Sequence, residues 1–191
     1  MKVVGIDLAG SEKRNTGFCL LKNDFAKVEI LKKDNEIIEK TKKEKPLVIA
    51  IDAPLSLPKG RKSIEEIGPH FRKCDLELKK FKIKFFPITI GPMRKLTERG
   101  MRIKNELEKL GFKVIETFPG AVYDLLKIER KNKEKIYKFF SSFFKINKSL
   151  KEITLDELDS IACAYVAKLY LENKVIELGD KDEGTLIIPK L

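Results

Sequence analysis

Three acidic residues stand in apolar runs that have the composition of buried strands. Asp7 follows VVGI, Asp52 follows LVIAI, and Glu116 lies in KVIET. Continuous apolar runs of this kind are typical of strands buried on both faces, and a polar residue at the tip leaves the core. If the first strand neighbours the fourth, and the fourth neighbours the fifth, the three carboxylates converge at one edge of a sheet.

Two further carboxylates, Asp156 and Asp159, are spaced i, i+3 at the start of a late predicted helix. Residues at this spacing share one helix face, with Cβ atoms about 5–6 Å apart. Gathered carboxylates repel one another unless a cation lies between them, and Mg²⁺ and Mn²⁺ prefer oxygen ligands. We therefore predict that all five acids form a Mg²⁺ or Mn²⁺ site.

A cluster of this kind is suited to phosphodiester cleavage, in which paired metal ions activate water and stabilise the leaving oxygen. In this hypothesis Asp7 bridges the ions, while Asp52 and Asp159 each hold one. Glu116 is a further ligand or orients the water, which makes these four residues the predicted catalytic set. Asp156 is an additional candidate ligand.

Each carboxylate also has a simpler interpretation. Asp156, in the first helical turn, favours the helix dipole without any function. Asp52 precedes Ala-Pro and could bond the backbone of a turn. Glu116 could pair with a basic neighbour such as Arg94 or Arg99. The functional interpretation depends on all five acids occupying matched positions in one topology.

The net charge of +11 is concentrated in the middle of the chain, because residues 59–104 alone carry +9. A concentrated basic stretch is typical of proteins that bind phosphate-rich partners, so we predict a nucleic-acid partner. The alternative is a lysine-rich solvated surface. The residues predicted to bind phosphates are Arg61, Arg72, Arg94, Lys95, Arg99 and Arg102.

Other chemistries have weaker support. The only histidine, His70, forms an i, i+4 pair with Cys74, but no second pair completes a metal site. The three cysteines are far apart, which argues against disulfides and for a reducing cytoplasm. No apolar run approaches the roughly 18 residues of a membrane span, and we expect no targeting signal. GIDLAGS followed by Thr16-Gly17 resembles the phosphate loop of actin-like sugar kinases, so a small-molecule phosphotransferase is an alternative.

Hydrophobic patterning predicts a single α/β domain over residues 1–191. An antiparallel three-strand meander opens the chain, and two strands follow that are parallel to its first strand. The insertion, residues 59–111, is predicted to be basic and mostly helical, with helices near Ser63–Lys80 and Met93–Leu110. Helices flank this five-stranded mixed sheet, a capping box at Thr154 starts the helix Leu155–Leu171, and the chain ends in a hairpin.

Several motifs together resemble the predicted nucleases of ribonuclease H-like fold that form a domain-of-unknown-function family related to RuvC-type resolvases. The matching pieces are VVGIDLAGS with TGFC, IDAPLSLP, RKCD at Arg72–Asp75, ETFPGA, DELDSIACAYVA and EGTLIIP. The resemblance implies a ribonuclease H-like fold, with Asp7, Asp52, Glu116 and Asp159 as the acidic site residues. It also implies that Arg72 and Asp75 either act on the substrate side of the site or support the structure.

The sequence therefore predicts a Mg²⁺- or Mn²⁺-dependent nuclease that hydrolyses DNA or RNA. A catalytically inactive nucleic-acid-binding protein on the same fold is the main alternative, and the phosphotransferase is the other. A role in cutting junctions would favour a two-fold homodimer.

Overall fold

The computed structural model describes residues 1–190, which form one mixed sheet covered by helices on both faces. The strands are β1 (Lys2–Asp7), β2 (Thr16–Lys22), β3 (Phe25–Leu31), β4 (Ile49–Asp52), β5 (Val114–Thr117), β6 (Lys145–Ile146), β7 (Val175–Asp180) and β8 (Gly184–Pro189). The helices are α1 (Asp34–Glu44), α2 (Lys73–Lys80), α3 (Pro92–Lys109), α4 (Pro119–Leu125), α5 (Lys133–Ser141) and α6 (Leu155–Leu171).

The sheet has the strand order β6-β3-β2-β1-β4-β5-β8-β7. Strands β1, β2 and β3 are antiparallel neighbours, whereas β1, β4, β5 and β8 run parallel. The predicted fold class is thereby confirmed: a meander lies beside two parallel strands, and helices flank them. The sheet is wider than the five predicted strands because the C-terminal hairpin joins β5 through β8 and β6 extends the β3 edge.

Helix α6 lies unusually close to the centre of the sheet because two glycines leave room for it. A Cβ atom on Gly5 would stand 2.2 Å from the backbone nitrogen of Ala164, and one on Gly17 would stand 1.9 Å from the carbonyl oxygen of Asp156. The small residues of α6 complete this contact, since Ala162, Cys163 and Ala164 are all buried. The close approach fixes the N-terminal turns of α6 against the ends of β1 and β2.

The opposite face of the sheet is covered by α1 and α3. Ile103 and Leu107 of α3 are buried with Ile49 and Ile51 of β4, and Ile37 of α1 belongs to the same cluster. Arg99 of α3 holds the two helices together, since its guanidinium bonds Asp34 at 2.7 Å and also the carbonyls of Ala9 and Lys32. Helix α3 is therefore part of the sheet's own covering layer.

The segment between β4 and α3 is less helical than the sequence pattern predicts. Of the predicted helix Ser63–Lys80, only α2 forms, and the residues before it are irregular. Gly68 and Pro69 interrupt the helical pattern there, and the Arg61 guanidinium donates hydrogen bonds to the carbonyls of Ile64, Glu66, Gly68 and Pro69. The Arg61 side chain thus satisfies loop carbonyls that backbone N–H groups would bond in a helix.

Helix α2 packs against the terminal hairpin. Cys74 and Leu78 are buried with Leu178, Leu186 and Ile188 in a third apolar cluster. His70 precedes α2, so the predicted helical pair of His70 and Cys74 does not form, and the His70 ring instead hydrogen-bonds the Thr89 hydroxyl at 2.5 Å. Among residues 1–190, no helix is long and apolar enough to cross a membrane.

Candidate active site

Asp7 and Asp52 stand side by side at the ends of adjacent parallel strands. They are directly paired in the register of β1 and β4. Each carboxyl group lies close enough to the other to shift its pKa, and the pKa of both is raised, so the pair retains a proton more readily than two free acids would. Within residues 1–190, neither acid forms a salt bridge with a lysine or arginine, although the chain is rich in these basic residues. Two partly buried acids without a cationic partner are costly in the metal-free protein.

Helix α6 adds Asp159 and Asp156 to this pair. The negative charges of both residues raise the pKa of Asp7, and the charge of Asp159 also raises the pKa of Asp52. The i, i+3 spacing predicted from the sequence places them on the side of α6 that faces the strand ends. Asp159 lies deeper, and Asp156 is half-exposed at the mouth of a cleft beside Asp7. The close approach of α6 at Gly5 and Gly17 makes this convergence sterically feasible.

Glu116 lies near Asp52, whose pKa its charge raises, and lines one cavity with it, but the pleat of the sheet turns the Glu116 side chain to the other face. Its register partner on β4 is Ile51, whose side chain packs towards α3, whereas Asp52 is paired with Thr117. Successive side chains of a strand point to opposite faces, so a one-residue offset reverses the side. Glu116 is 4% exposed, and its carboxylate accepts hydrogen bonds from Arg72 and from the backbone N–H of Leu55 at 2.6–2.7 Å.

Arg72 lies at the centre of a buried ionic triad and is only 1% exposed. Its guanidinium bonds Glu116 at 2.6 Å and Asp75 at 2.9 Å, and one N–H reaches the Ser56 hydroxyl at 3.1 Å. Burial opposes the charge of Arg72, but the two carboxylates raise its pKa well above the ordinary value. The geometry therefore favours a structural role for Arg72 and Asp75. The Arg72 guanidinium is buried and its N–H donors are already bonded, so it is not placed to contact a phosphate.

The other basic residues predicted to bind phosphate fall into different environments. Arg99 is buried between α1 and α3, and Arg61 is occupied by loop carbonyls, so neither is available to a ligand. Arg94 and Arg102 are exposed but paired with Glu65 and Asp34 respectively. Lys95 lines a cleft of about 750 Å³ that also contains Asp7 and Asp156, which we call the polar cleft.

Tyr123 and Arg14 are site residues that the sequence did not indicate. The Tyr123 hydroxyl of α4 donates a hydrogen bond of 2.6 Å to the Asp159 carboxylate. Tyr123 is separated from Asp159 by 36 residues, so no local spacing announces the pair. Arg14 lies in the loop after β1, lines the polar cleft, and lowers the pKa of Asp156 against the raising effect of burial.

Burial and mutual repulsion raise the pKa values of the acids. The pKa of Asp7 is raised well above its ordinary value, first by burial and then by Asp52, Asp159 and Asp156. Burial, followed by the charge of Asp159, raises the pKa of Asp52 to about 8. Burial also raises the pKa of Asp159 to about 6, although the hydrogen bond from Tyr123 acts in the opposite direction. Perturbation of this size is typical of functional sites.

The carboxylate oxygens of the acid group are of the chemical type that Mg²⁺ or Mn²⁺ prefers, although they do not form a complete coordination shell. In residues 1–190, no three His, Cys, Asp or Glu side chains have the arrangement of a formed metal site. Asp159 is oriented towards Tyr123, and Glu116 is held by Arg72. Asp7 and Asp52 nevertheless offer adjacent carboxylate oxygens without a basic partner, and hard divalent cations commonly bind through one or two carboxylates plus water and substrate phosphate. We judge the residues to fit such an ion.

Raising the pH is expected to destabilise the metal-free protein through Asp52. Its folded-state pKa of about 8 exceeds the ordinary value of 3.8, so the folded state retains a proton that the unfolded state loses. The stability contributed by this group is complete below about pH 4 and is lost as the pH rises to about 8. Urea unfolding with EDTA should therefore show wild type losing stability relative to Asp52→Asn across this window.

The matched control for this titration is Asp24→Asn, which removes one exposed carboxylate in the turn between β2 and β3. Its pH profile should run parallel to that of wild type. If the wild-type and Asp52→Asn profiles are themselves parallel between pH 4 and pH 8, the protonated acid pair is contradicted.

The sheet order, with helices on both faces of the sheet, defines a ribonuclease H-like fold. Residues 5–184 match the family described as "Protein of unknown function (DUF429)", and the chain belongs to that family. No curated protein sequence matches the chain.

Solved structures give the same fold. The chain is similar to RuvC of Thermus thermophilus in complex with a Holliday junction substrate, with a TM-score of 0.53 and 14% identity, over 91% of this chain and 96% of that one. It is also similar to a second Thermus thermophilus RuvC structure, with a TM-score of 0.53 and 13% identity, over 91% and 97% of the two chains. The predicted resemblance to RuvC-like nuclease folds is confirmed.

Proposed function

We propose that this protein is a divalent-metal-dependent nuclease that hydrolyses phosphodiester bonds in DNA or RNA. The observation that carries the proposal is the contact between Asp7 and Asp52, two partly buried carboxylates at parallel strand ends without a basic partner in residues 1–190. Such a pair does not serve stability, because like charges in a low-dielectric site oppose folding. A divalent cation removes that cost.

Asp7, Asp52 and Asp159 are the residues proposed to hold Mg²⁺ or Mn²⁺, with Asp156 at the margin. When bound there, the ion supplies Lewis-acid polarisation of the phosphodiester and lowers the pKa of the attacking water. Tyr123 orients Asp159 through its hydrogen bond. Glu116 acts as a positioning residue, because it accepts the N–H of Leu55 and so fixes the chain as it leaves Asp52.

Phosphate binding is assigned to the polar cleft. Lys95 and Arg14 lie there with Asp7, Asp156 and the loop after β1, so positive charge stands beside the acids where a nucleic-acid backbone would pass. Arg94 can extend this contact by exchanging exposed Glu65 for a phosphate, because exposed ion pairs contribute little. Arg102 is exposed as well, but its partner Asp34 is half-buried and shared with Arg99. Arg61, Arg72 and Arg99 are given structural roles.

The similarity to RuvC bound to a Holliday junction supports nucleic acid as the partner and makes a four-way junction the first substrate to test. The low identity supports the fold alone, so the choice between DNA and RNA rests on experiment. A homodimer and a cytoplasmic location accompany the proposal as predictions.

Purified protein with Mn²⁺ is expected to cleave at least one member of a panel of four-way, flapped, duplex, single-stranded and RNA–DNA hybrid substrates. EDTA should abolish the cleavage. Asp52→Asn should also abolish it, because this change removes a proposed metal ligand. Asp24→Asn should cleave like wild type and so exclude a general effect of lost charge. Equal inertness of wild type and Asp52→Asn across the panel would refute the nuclease proposal.

A nucleic-acid-binding protein without turnover is the second candidate. The orientation of Asp159 towards Tyr123, and the lack of a formed three-ligand set in residues 1–190, favour it. It is supported if the panel binds with strong salt dependence while Mn²⁺ neither promotes cleavage nor stabilises the protein against heat.

A further inference from the structure

A second cavity, of about 780 Å³, opens on the other side of Asp52 from the polar cleft. Its walls come mainly from the loop between α2 and α3, from α2 and from the ends of β4 and β5. Most of its lining is apolar, and we call it the aromatic cavity after Phe85, Phe86 and Phe118. Its volume falls in the range of about 300–1,000 Å³ that is usual for small-ligand sites.

The walls of this cavity are held in place by specific contacts. Phe85 packs edge to face against Phe71, with ring centroids 6.1 Å apart. Arg130 lies 5.2 Å from the Phe118 ring and donates a hydrogen bond of 3.0 Å to the Lys84 carbonyl, so it ties the loop to the body of the protein. The cavity is therefore preformed, and a ligand that enters it needs to order little of the protein.

The charge around the cavity is positive at the rim. Exposed Lys79 and Lys84 line it, and so does Arg130, whose guanidinium is paired with Asp124. Arg72 also lines it, but its charge is neutralised by Asp75 and Glu116. An apolar, aromatic interior beneath a basic rim matches a flat heteroaromatic ring attached to a phosphate, because the ring stacks on phenylalanine and the phosphate meets the cations.

The position of the cavity links it to the proposed active site. Asp52 lines the aromatic cavity, its neighbour Asp7 lines the polar cleft, and Met93 and Leu96 of α3 line both. The two cavities therefore share a wall, so a nucleic-acid strand whose backbone follows the polar cleft to the acid pair can continue into the aromatic cavity.

We propose that the aromatic cavity receives one unpaired nucleobase of the substrate, from a nucleotide adjacent to the phosphodiester at Asp7 and Asp52. This inference rests on the proposed function and specifies its substrate as a nucleic acid with at least one unstacked base. A fully paired duplex is a poor substrate, because its base must first be unpaired and extruded from the stack.

Equilibrium binding with matched oligomers tests the proposal. A thymidine oligonucleotide and a fully abasic oligonucleotide of the same length carry the same phosphates, so their difference reports contacts to bases in any register. In EDTA, wild type should bind the thymidine oligomer about 5- to 150-fold more tightly, because each base stacked on an aromatic side chain contributes about 1–3 kcal/mol. Fluorescence anisotropy measures both affinities.

Phe86→Ala should lose most of this preference while it binds the abasic oligomer as wild type does. Phe86 is 77% exposed, so its removal leaves the core intact. Phe85→Leu provides a second variant, which keeps apolar volume but removes the ring. Phe143→Ala is the matched control, because Phe143 is 54% exposed and does not line the cavity, and it should retain the wild-type preference.

The proposal is overturned if wild type binds both oligomers equally, or if Phe86→Ala and Phe85→Leu both keep the full preference. Cleavage in Mn²⁺ is scored separately. Base preference without cleavage leaves the cavity assignment standing and contradicts the nuclease proposal. Cleavage without base preference contradicts the cavity assignment alone, and binding of neither oligomer counts against both.

Discussion

Asp7→Asn is expected to abolish metal-dependent cleavage and, at the same time, to stabilise the metal-free protein. The asparagine keeps the size of the side chain but removes the charged oxygen that is proposed to bind the metal. Because loss of a residue that only supports a metal ligand commonly costs about 10–100-fold in metal affinity or activity, loss of this ligand should reduce cleavage by more than about 100-fold.

The stabilisation follows from the electrostatics of the acid group. Burial and the charges of Asp52, Asp159 and Asp156 all raise the pKa of Asp7. Ionisation of this carboxyl therefore opposes folding, and the amide removes that cost while it can still donate a hydrogen bond to Asp52. Single stabilising substitutions commonly contribute about 0.5–2 kcal/mol, and we expect a gain of that size here.

The gain should grow with pH, because wild type must ionise the second acid of the pair as the pH rises. Urea unfolding in EDTA at pH 5 and pH 9 measures this difference, and Asp24→Asn controls for the loss of one negative charge. Added Mn²⁺ should reverse the order, since wild type gains binding energy in the folded state and Asp7→Asn gains less. If Asp7→Asn instead unfolds the protein, Asp7 is a structural residue.

The acid pair could be predicted from sequence because its signal is local. An apolar run that ends in a carboxylate marks a strand tip, and β1 and β4 are adjacent and in register at Asp7 and Asp52. The i, i+3 spacing of Asp156 and Asp159 marks a helix face in the same way. Each inference needed only the period of one element and the order of the strands.

Glu116 shows where this reasoning ends. It was selected because it belongs to an apolar strand, but its side of the sheet depends on the register of β5 against β4. Glu116 is paired with Ile51 and Thr117 with Asp52, so the acid faces α3. Sequence periodicity fixes alternation along one strand and does not fix the offset between two strands.

The basic segment shows a second limit. Net charge indicated a phosphate partner, but it could not tell which arginines are occupied within the protein. Arg72 is 44 residues from its partner Glu116 in the sequence, and Arg99 is 65 residues from Asp34. Contacts at such separations follow from the packing of whole elements. The same holds for Tyr123, whose hydrogen bond to Asp159 has no local signature.

Arg72→Ala is expected to be the most destabilising single change in the segment between β4 and α3. The substitution leaves Glu116 and Asp75 as uncompensated carboxylates, which are 4% and 2% exposed. Removal of one partner from a buried ion pair typically costs about 3–5 kcal/mol. That loss is a large fraction of the roughly 5–15 kcal/mol that stabilises an ordinary domain.

Arg72→Lys should recover only part of the loss, because an ammonium group cannot bond both carboxylates in the planar geometry of a guanidinium. Arg94→Ala is the matched control. Arg94 pairs with exposed Glu65, and such surface pairs contribute about 0–1 kcal/mol. Urea unfolding of the three variants measures the differences, and a cost for Arg72→Ala no larger than that for Arg94→Ala would contradict the structural role.

The same triad connects stability to the proposed chemistry. Glu116 joins Arg72 to the backbone N–H of Leu55, three residues after Asp52, so the buried ions fix the direction in which β4 leaves the acid pair. Arg72→Lys should therefore lower kcat for cleavage while it leaves KM nearly unchanged, because it displaces Asp52 without altering the cationic surface. If Arg72 contacted phosphate directly, the loss would appear in KM and would change with salt.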